Sequence, residues 1–261
     1  MKDIVGIILA ARRGKRLQQG QESRQKVLAE LQKKPMLGHV LEVVRAVGVR
    51  RVVVVVGHQA EQVKSYLEKW RKRLTVDIVK QEKLLGTADA VRQTEKLLKN
   101  HQGDVLILYG DTPLLTEGTL RNLVEAHRAQ KNDCTLLTTL LKDPTGYGRI
   151  VRNGRSDTVE KIAEEVDATP EEKAVREINV GVYCFESQSL FKALKEVKPN
   201  NRQSEYYLTD TIAILSKKNK VVRSVLSGDR HEALGVNSPA DLDKARQVLD
   251  GHHDVAEFSE S

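Results

Sequence analysis

The sequence contains few cysteines and few aromatic residues: 2 cysteines and 4% Phe, Trp and Tyr among 261 residues. Cys134 and Cys184 each lie inside an apolar, strand-like run, without a CxxC pair or a histidine at ligand spacing. This usage argues against a disulfide framework or a cysteine-based metal site. We expect two buried free thiols in a protein of the reducing cytoplasm.

Long apolar runs are also lacking. The first run, Ile4–Ala10, is only seven residues long, and basic residues follow it without a small-residue cleavage pattern. Neither a signal peptide nor a membrane span is therefore expected. With 39% hydrophobic and 30% charged residues, the composition is that of a globular protein rather than a disordered one. We expect one main domain over residues 1–250 and a flexible tail over 251–261.

The net charge of +7 at pH 7 fits an anionic partner. One basic group, Lys64–Arg73, lies on a polar helical stretch, where a solvated helix face explains it. The other, Arg12–Lys26, follows a predicted strand and contains no aromatic residue. Since single-stranded nucleic acid is usually bound by basic residues interleaved with aromatic ones, a nucleic-acid partner lacks support.

Apolar runs alternate with amphipathic segments through the first part of the chain. The predicted strands are Ile4–Ala10, Val52–Val56, Val76–Val79 and Val105–Tyr109. The predicted helices cover Leu37–Val47, Ala60–Lys72 and a segment after Thr87. This order predicts an α/β fold with a Rossmann-like, doubly wound and mostly parallel sheet.

The pattern changes after a helix around Leu120–His127. Short strands are predicted at Thr135–Leu141, Gly148–Arg152, Thr158–Ala163 and Asn179–Phe185. We expect them to form a small mixed β extension that helps to close over a ligand. The last predicted elements are a helix over Leu208–Leu215, strands at Val221–Val225 and Glu232–Val236, and a helix over Ala240–Leu249 opened by Ser238 and Pro239.

A glycine-containing basic loop follows the first strand. It comprises Ala10, Ala11, Arg12, Arg13, Gly14, Lys15 and Arg16, with Lys26 beyond it. Backbone amides at a strand-to-helix loop can hold phosphate oxygens, and Arg and Lys can neutralise the charge on a leaving pyrophosphate. The loop matches neither GxxxxGK[ST] nor GxGxxG, so an ordinary basic surface loop remains the alternative.

Asp111 ends the run VLILYGD. In an open α/β sheet, ligands bind beyond the carboxyl ends of the strands, and a carboxylate there suits Mg²⁺. A turn cap with Thr112 and Pro113 is the alternative. Further polar and glycine positions are individually no more than turn or loop residues and gain meaning only from their joint order: Gln81, Gly86, Thr87, Tyr147, Gly148, Glu164, Asn179 and Asn237.

Taken together, these stretches resemble the uridyltransferase domain of the bifunctional GlmU enzymes, which are N-acetylglucosamine-1-phosphate uridyltransferases. LAARRGKRL with Lys26-Val27-Leu28 is similar to the signature LAAGxGTRM followed by PKVL. Other segments resemble the family in the same order: KPMLGHVLE, VVVGH, LGTADAV, LYGDTPLL, DPTGYGRIV, EINVGVY, EYYLTD and GVNSPADL. The resemblance runs from Ile4 to about Leu249.

The resemblance implies roles for individual residues. Nucleotide binding would fall to Leu9, Ala10, Ala11, Gly14, Gln81, Gly86 and Thr87, with the last three recognising the uracil. The phosphates would meet Arg16 and Lys26, and the catalytic Mg²⁺ would be held by Asp111 and Asn237. The N-acetylated sugar would be bound by Tyr109, Gly148, Glu164, Asn179 and Tyr207, with Tyr206 as support.

Four positions depart from the family pattern. Arg12 stands at the first loop glycine, Lys15 at the threonine, Gln25 at the proline before Lys26, and Val166 at a lysine near the sugar phosphate. A side chain at Arg12 is expected to affect the approach of the backbone to a triphosphate. The hexapeptide repeats of the family's left-handed β-helix are missing, so neither acetyltransferase activity nor the β-helix trimer is expected.

The implied reaction joins UTP and N-acetylglucosamine 1-phosphate to give UDP-N-acetylglucosamine and pyrophosphate. The nucleotide-binding part would cover about 1–115 and the sugar-binding part about 116–250, in a cytoplasmic monomer or weak homo-oligomer. Alternatives are another sugar 1-phosphate, such as glucose or N-acetylmuramate 1-phosphate, the use of dTTP, or a catalytically weak nucleotide-binding regulator.

Overall fold

The computed structural model of the protein describes residues 3–11, 25–57, 60–154 and 157–251. The strands in this part of the chain are β1 Ile4–Ala10, β2 Glu30–Leu31, β3 Lys34–Pro35, β4 Arg51–Val56, β5 Thr75–Lys80, β6 Asp104–Tyr109, β7 Cys134–Leu140, β8 Arg149–Arg152, β9 Val159–Ala163, β10 Glu177–Glu186 and β11 Val222–Leu226. The helices are α1 Met36–Ala46, α2 Ala60–Glu68, α3 Thr87–Arg92, α4 Glu95–Leu98, α5 Glu117–Ala129, α6 Pro170–Lys173, α7 Ser187–Glu196, α8 Asp210–Lys217 and α9 Pro239–Leu249. Short 3-10 helices cover Lys26–Leu28 and Arg230–Ala233.

The apolar runs form the centre of the sheet. In β4, Val52, Val54 and Val56 point into the core on one face, while Val53 and Val55 point into the core on the other. All five valines are fully buried. A strand that is covered on both faces needs apolar residues without alternation, which is the pattern that the sequence shows. The prediction of a doubly wound sheet is confirmed.

The sheet has nine strands among the described residues, with the order β11-β7-β10-β6-β1-β4-β5 and with β8 and β9 attached to β10. The pairs β1–β4, β1–β6, β4–β5 and β7–β11 are parallel. Strand β10 runs antiparallel to both β6 and β7. The sheet is therefore mostly parallel, and one antiparallel strand joins its two parallel parts.

The mixed β extension is formed by β8 and β9, which pair antiparallel with each other. Strand β8 is connected to the main sheet through the pair Ile178–Arg149. The predicted bounds of these short strands agree with the observed ones to within one or two residues.

Two expectations about single elements were wrong, and helix α7 was missed. No strand forms at Glu232–Val236; the segment begins as a 3-10 helix because Asp229 caps it by accepting from the His231 amide at 2.8 Å. The predicted helix over Ala60–Lys72 already ends at Glu68. Helix α7 was not predicted, because it begins directly after β10 and is capped by the strand residue Glu186.

Two other expectations can be compared with the fold. Cys134 and Cys184 are free thiols and are completely buried, as expected. Burial raises the pKa of both thiols well above the usual range. Within the described residues, no helix is long and apolar enough to cross a membrane. The predicted tail lies outside the described residues from position 252 onwards.

Candidate active site

Four neighbouring parallel strands end at the same edge of the sheet. The register pairs Ala10 with Val56, Val56 with Lys80, and Leu9 with Tyr109. The residues that directly follow these strands therefore lie side by side: Ala11, Gly57, Gln81 and Gly110. This is the edge at which open α/β sheets bind ligands.

Ala11, which directly follows β1, lies close to the end of β4. A Cβ atom at Gly57 would lie 2.6 Å from the carbonyl oxygen of Ala11, so only glycine fits there. The predicted nucleotide residues Leu9, Ala10 and Ala11 are all buried. Gly14 and Arg16, like Arg12 and Lys15, lie outside the described residues.

Lys26 lies between two oxygen atoms that come from distant parts of the chain. Its ammonium group donates to the Asp111 carboxylate and, at 2.6 Å, to the side-chain amide oxygen of Asn237. The exposed fraction of the side chain is 3% for Lys26 and 10% for Asp111. Burial makes this ion pair stronger than an exposed one and costly to break on one side only.

The backbone holds these three residues in place. The amide of Val236 donates to the carbonyl of Asp111 at 3.0 Å, and the amide of Gly110 donates to Leu9 at 2.9 Å. The start of α9 fixes Asn237, because the Asp241 carboxylate accepts from the backbone amide of Asn237 at 2.9 Å. The site thus joins the ends of β1 and β6 to the segment before α9.

The pair of Asp111 and Asn237 suits a hard cation. One carboxylate oxygen and one amide oxygen already meet at a single positive charge, and both are ligand types that Mg²⁺ accepts. Mg²⁺ commonly takes only one or two protein ligands and completes its shell with phosphate and water. The two protein oxygens of Asp111 and Asn237 therefore fit this ion.

Gln81, Gly86 and Thr87 come together after β5. The Gln81 side-chain nitrogen donates to the carbonyl of Gly86 at 3.0 Å and to Asp89 at 2.7 Å. Gly86 has φ +116°, and a Cβ atom there would lie 2.5 Å from the carbonyl oxygen of Tyr206. The Thr87 hydroxyl accepts from the amide of Leu208 at 2.9 Å.

A second group lies around the junction of β8, β9 and β10. The amide of Asn179 donates to the carbonyl of Gly148 at 2.9 Å. A Cβ atom at Gly148 would lie 3.5 Å from a Glu164 carboxylate oxygen. The other carboxylate oxygen of Glu164 accepts from the hydroxyl of Thr209 at 2.8 Å. Gly148, Glu164 and Asn179, to which the resemblance assigns one common role, therefore lie close together.

Asn179 lies at an irregularity of β10, where the pairing with β7 shifts between Asn179 and Tyr183. Its amide nitrogen donates to the Tyr183 hydroxyl at 2.7 Å, and its amide oxygen accepts from the Gly181 backbone at 3.1 Å. Gly181 has φ +88°, and a Cβ atom there would lie 2.8 Å from the ring of Tyr109. This local geometry joins Tyr109 to the second group.

Tyr207 lies close to the carboxylates of the second group. Its hydroxyl donates to Gln203 at 2.8 Å. Burial, followed by the negative charges of Asp167 and Glu164, raises the pKa of Tyr207 to about 12. Burial and the same two carboxylates also raise the pKa of Asp210 to about 6.

Val166 is exposed beside this group, with 38% of its surface accessible. The preceding Glu165 binds the buried guanidinium of Arg149 at 2.6 Å and accepts from the amide of Gly146. These bonds hold the pKa of Glu165 below its usual value. Because residue 166 is a valine, its side chain adds no positive charge to this group.

A cavity of about 330 Å³ lies elsewhere, at the start of α7. It is lined by Asp133, Glu186, Ser189, Lys192, Lys218 and Lys220, among others. Glu186 already caps the first amides of α7, and Lys220 is paired with Asp133 at 3.1 Å. Since these residues belong to none of the strand ends described above, the cavity is separate from the candidate site.

Sequence reasoning missed several contributors. Asp89 orients Gln81, Thr209 binds Glu164, Gly181 admits the Tyr109 ring, and Asp210 has a raised pKa. Thr209 and Asp210 lie in the segment EYYLTD, which carried part of the resemblance, and this was the available signal. Asp89 and Gly181 become visible only through their contacts.

Comparison with known proteins gives a consistent result. The model of the nucleotidyl transferase family matches residues 5–233. The chain is 43% identical over 249 residues to the Bifunctional protein GlmU of Acetivibrio thermocellus and to that of Halalkalibacterium halodurans, covering 95% of this chain in both cases and 52% and 53% of those proteins. It therefore spans about half the length of these curated relatives.

Among solved structures, a UDP-glucose pyrophosphorylase complexed with UDP-glucose is similar, with a TM-score of 0.79 and 14% identity, over 97% of this chain and 100% of that one. At this identity the likeness concerns the fold, and it agrees with the mostly parallel sheet and its mixed extension. Together with the match of the family model over most of the chain, it leads to one conclusion: the protein belongs to the nucleotidyl transferase family.

Proposed function

We propose that the protein transfers a uridylyl group from UTP to N-acetylglucosamine 1-phosphate, giving UDP-N-acetylglucosamine and pyrophosphate. The observation that carries the proposal is the meeting of Lys26, Asp111 and Asn237 beside the first loop. It occurs in a chain that is 43% identical to two GlmU proteins over 249 residues.

The nucleotide end of the site supports a uracil base. Both known contacts of the Gln81 amide use its nitrogen, which donates to Gly86 and Asp89. An amide oriented in this way presents its oxygen as an acceptor. The imide N–H of uracil or thymine can donate to that oxygen, whereas the ring nitrogen of cytosine at the same position is itself an acceptor. We therefore expect UTP or dTTP to bind in preference to CTP.

The phosphate end is supported by charge. Mg²⁺ bound by Asp111 and Asn237 would neutralise charge that develops on the phosphates. Lys26, and Arg16 from the first loop, would contact the phosphate oxygens and favour the departure of pyrophosphate. No protein nucleophile is required, because positioning and charge neutralisation are the main contributions in this type of transfer.

The bond changes involve the two substrates alone. A phosphate oxygen of the sugar 1-phosphate forms a bond to the α-phosphorus of UTP, and the bond from that phosphorus to the bridging β-oxygen breaks. Gly148, Glu164 and Asn179 would hold the sugar so that its phosphate points towards this phosphorus. Tyr109 and Tyr207 would line the same pocket.

We assign nucleotide recognition to about residues 1–115 and sugar recognition to about 116–250. The buried free thiols are consistent with a reducing compartment such as the cytoplasm. We expect the chain to act as a monomer or weak homo-oligomer, without nucleic acid or membrane as a partner.

The test is pyrophosphate release by purified protein with Mg²⁺ and UTP, with and without N-acetylglucosamine 1-phosphate. Parallel reactions contain glucose 1-phosphate, N-acetylmuramate 1-phosphate or dTTP in place of the corresponding substrate. Release that requires the N-acetylated sugar supports the proposal. Release with another sugar phosphate would mean that this sugar phosphate is the acceptor instead. UTP binding without any pyrophosphate release would indicate a nucleotide-binding regulator.

A further inference from the structure

The Lys26 ammonium occupies the position between the two proposed metal ligands. It contacts oxygens of both Asp111 and Asn237, and its side chain is only 3% exposed. Among the residues that the structure describes, this ammonium is the cation paired with the Asp111 carboxylate. Removing one partner of such a poorly exposed ion pair is strongly unfavourable. Lys26 therefore keeps the two oxygens together in the protein without substrate.

A divalent cation at this pair would bind the same Asp111 carboxylate and the same Asn237 amide oxygen. Mg²⁺ at Asp111 and Asn237 would lie next to the ammonium group, and two positive charges at such a distance repel each other. The Lys26 ammonium and the metal ion therefore cannot both bind these groups tightly at the same time. Binding of the metal must therefore move the Lys26 side chain away from its present partners.

We propose that Lys26 is a tethered cation that exchanges with Mg²⁺: it holds Asp111 and Asn237 together until the metal binds, and is then released towards the triphosphate. The proposal rests on the proposed function for the identity of the metal and of the nucleotide. It assigns two successive partners to one side chain, the metal ligands first and the phosphates second.

The exchange has a thermodynamic consequence. Metal alone must displace the ammonium group without giving it a new partner, so metal binding to the free protein is weakened. When UTP is present, its phosphates accept the displaced ammonium. Metal and nucleotide should therefore increase each other's affinity, and by linkage the two increases must be equal.

The experiment measures Mn²⁺ binding to the free protein by electron paramagnetic resonance, without any substrate. Lys26→Met removes the charge and retains most of the volume, whereas Lys26→Arg retains the charge. Lys64→Met is the matched control, because Lys64 lies on the surface of α2 and pairs with Glu61. We expect Lys26→Met to bind Mn²⁺ at least about tenfold more tightly than the wild type. Lys26→Arg and Lys64→Met should remain near the wild-type affinity.

Equal or weaker Mn²⁺ binding by Lys26→Met would overturn the exchange. A measurement on the wild type provides a test that does not depend on the folding of this variant: acetylation of lysines by acetic anhydride, located by peptide mass spectrometry. Saturating Mg²⁺ should raise the labelling rate of Lys26 severalfold and leave Lys64 unchanged. An unchanged rate at Lys26 would also refute the exchange.

The two proposals can fail separately. The Mn²⁺ titration contains neither UTP nor sugar phosphate, so a missing transferase activity leaves its result intact. Conversely, the wild type can prove active while Lys26→Met binds the metal with unchanged affinity. That result would leave the proposed function intact and overturn only the exchange.

Discussion

The Lys26 ammonium donates to the side-chain oxygen of Asn237 at 2.6 Å, across 211 positions of sequence. The first of these residues opens a 3-10 helix after the first loop, and the second precedes α9. Their contact, together with that of Asp111, combines three separate segments into one charged centre.

Asp111→Asn should lower turnover by at least about 100-fold, because the variant loses the only charged ligand of the proposed metal pair. It should still fold, since the amide retains an oxygen for Lys26. Pyrophosphate release gives the turnover, and circular dichroism gives the melting temperature. Asp77→Asn, which affects a more exposed pair with Arg51, serves as control. Turnover close to that of the control would remove Asp111 from the metal role.

Gly86→Ala should destabilise the protein by about 2 kcal/mol or more, because φ +116° is accessible almost only to glycine and the new Cβ would clash with the Tyr206 backbone. UTP binding should weaken as well. Gly118→Ala is the matched control in α5, where the added Cβ meets nothing within 4 Å. That variant should be stabilised by about 0.5–1 kcal/mol. Urea unfolding measures both, and equal effects would contradict the prediction.

Asp210→Asn tests the crowding of carboxylates near Glu164 and Asp167. Because burial and these charges raise the pKa of Asp210 from 3.8 to about 6, the folded protein holds this proton more tightly than the unfolded chain. The contribution of Asp210 to stability is thus greatest below pH 3.8 and is lost as the pH rises through about 6.

Asparagine has no such charge to lose. Asp210→Asn should therefore match the wild type near pH 4 and exceed its stability by about 1 kcal/mol at pH 8, a value reduced for solvent screening. Thermal unfolding at several pH values measures the difference. A stability difference that does not depend on pH would show that Asp210 is not the titrating group.

Val166→Lys should lower the KM for the sugar 1-phosphate about three- to tenfold, because it adds a positive charge at an exposed position beside the proposed sugar pocket. The gain should vanish in about 0.5 M salt, which screens such charges. Val166→Gln supplies a long side chain without charge and should leave KM unchanged. Identical KM values for the lysine and glutamine variants would place the sugar phosphate elsewhere.

The sequence allowed the parallel half of the fold to be predicted well. Strands buried on both faces, such as β4, need uninterrupted apolar runs, and these are visible in one dimension. Glu232–Val236 misled because its short apolar content, Ala233, Leu234 and Val236, is compatible with a strand. In the fold, the buried Glu232 instead accepts from the amide and hydroxyl of Thr116 at 3.0 and 2.8 Å. A buried glutamate that accepts hydrogen bonds from a residue far away in the sequence leaves no periodic pattern in that sequence.

The site was predictable only in part, for a similar reason. The position of Asp111 at a strand end follows from the order of elements. Its partnership with Asn237 depends on how distant segments meet, and residue types at a given spacing do not encode this. Resemblance to a family supplied that pairing, and the observed contacts of Lys26 are consistent with it.

The bond from Val236 to the carbonyl of Asp111 also has a consequence for biosynthesis. A ribosome that has made β1 to β6 has already supplied the sheet edge that we propose to bind the nucleotide. The second oxygen of the charged centre, from Asn237, is then still more than a hundred codons away. Until Asn237 emerges, the charged centre consists of the Lys26–Asp111 ion pair without its amide oxygen. The protein should therefore acquire its charged centre among the last steps of its synthesis, after most of the sheet can already form.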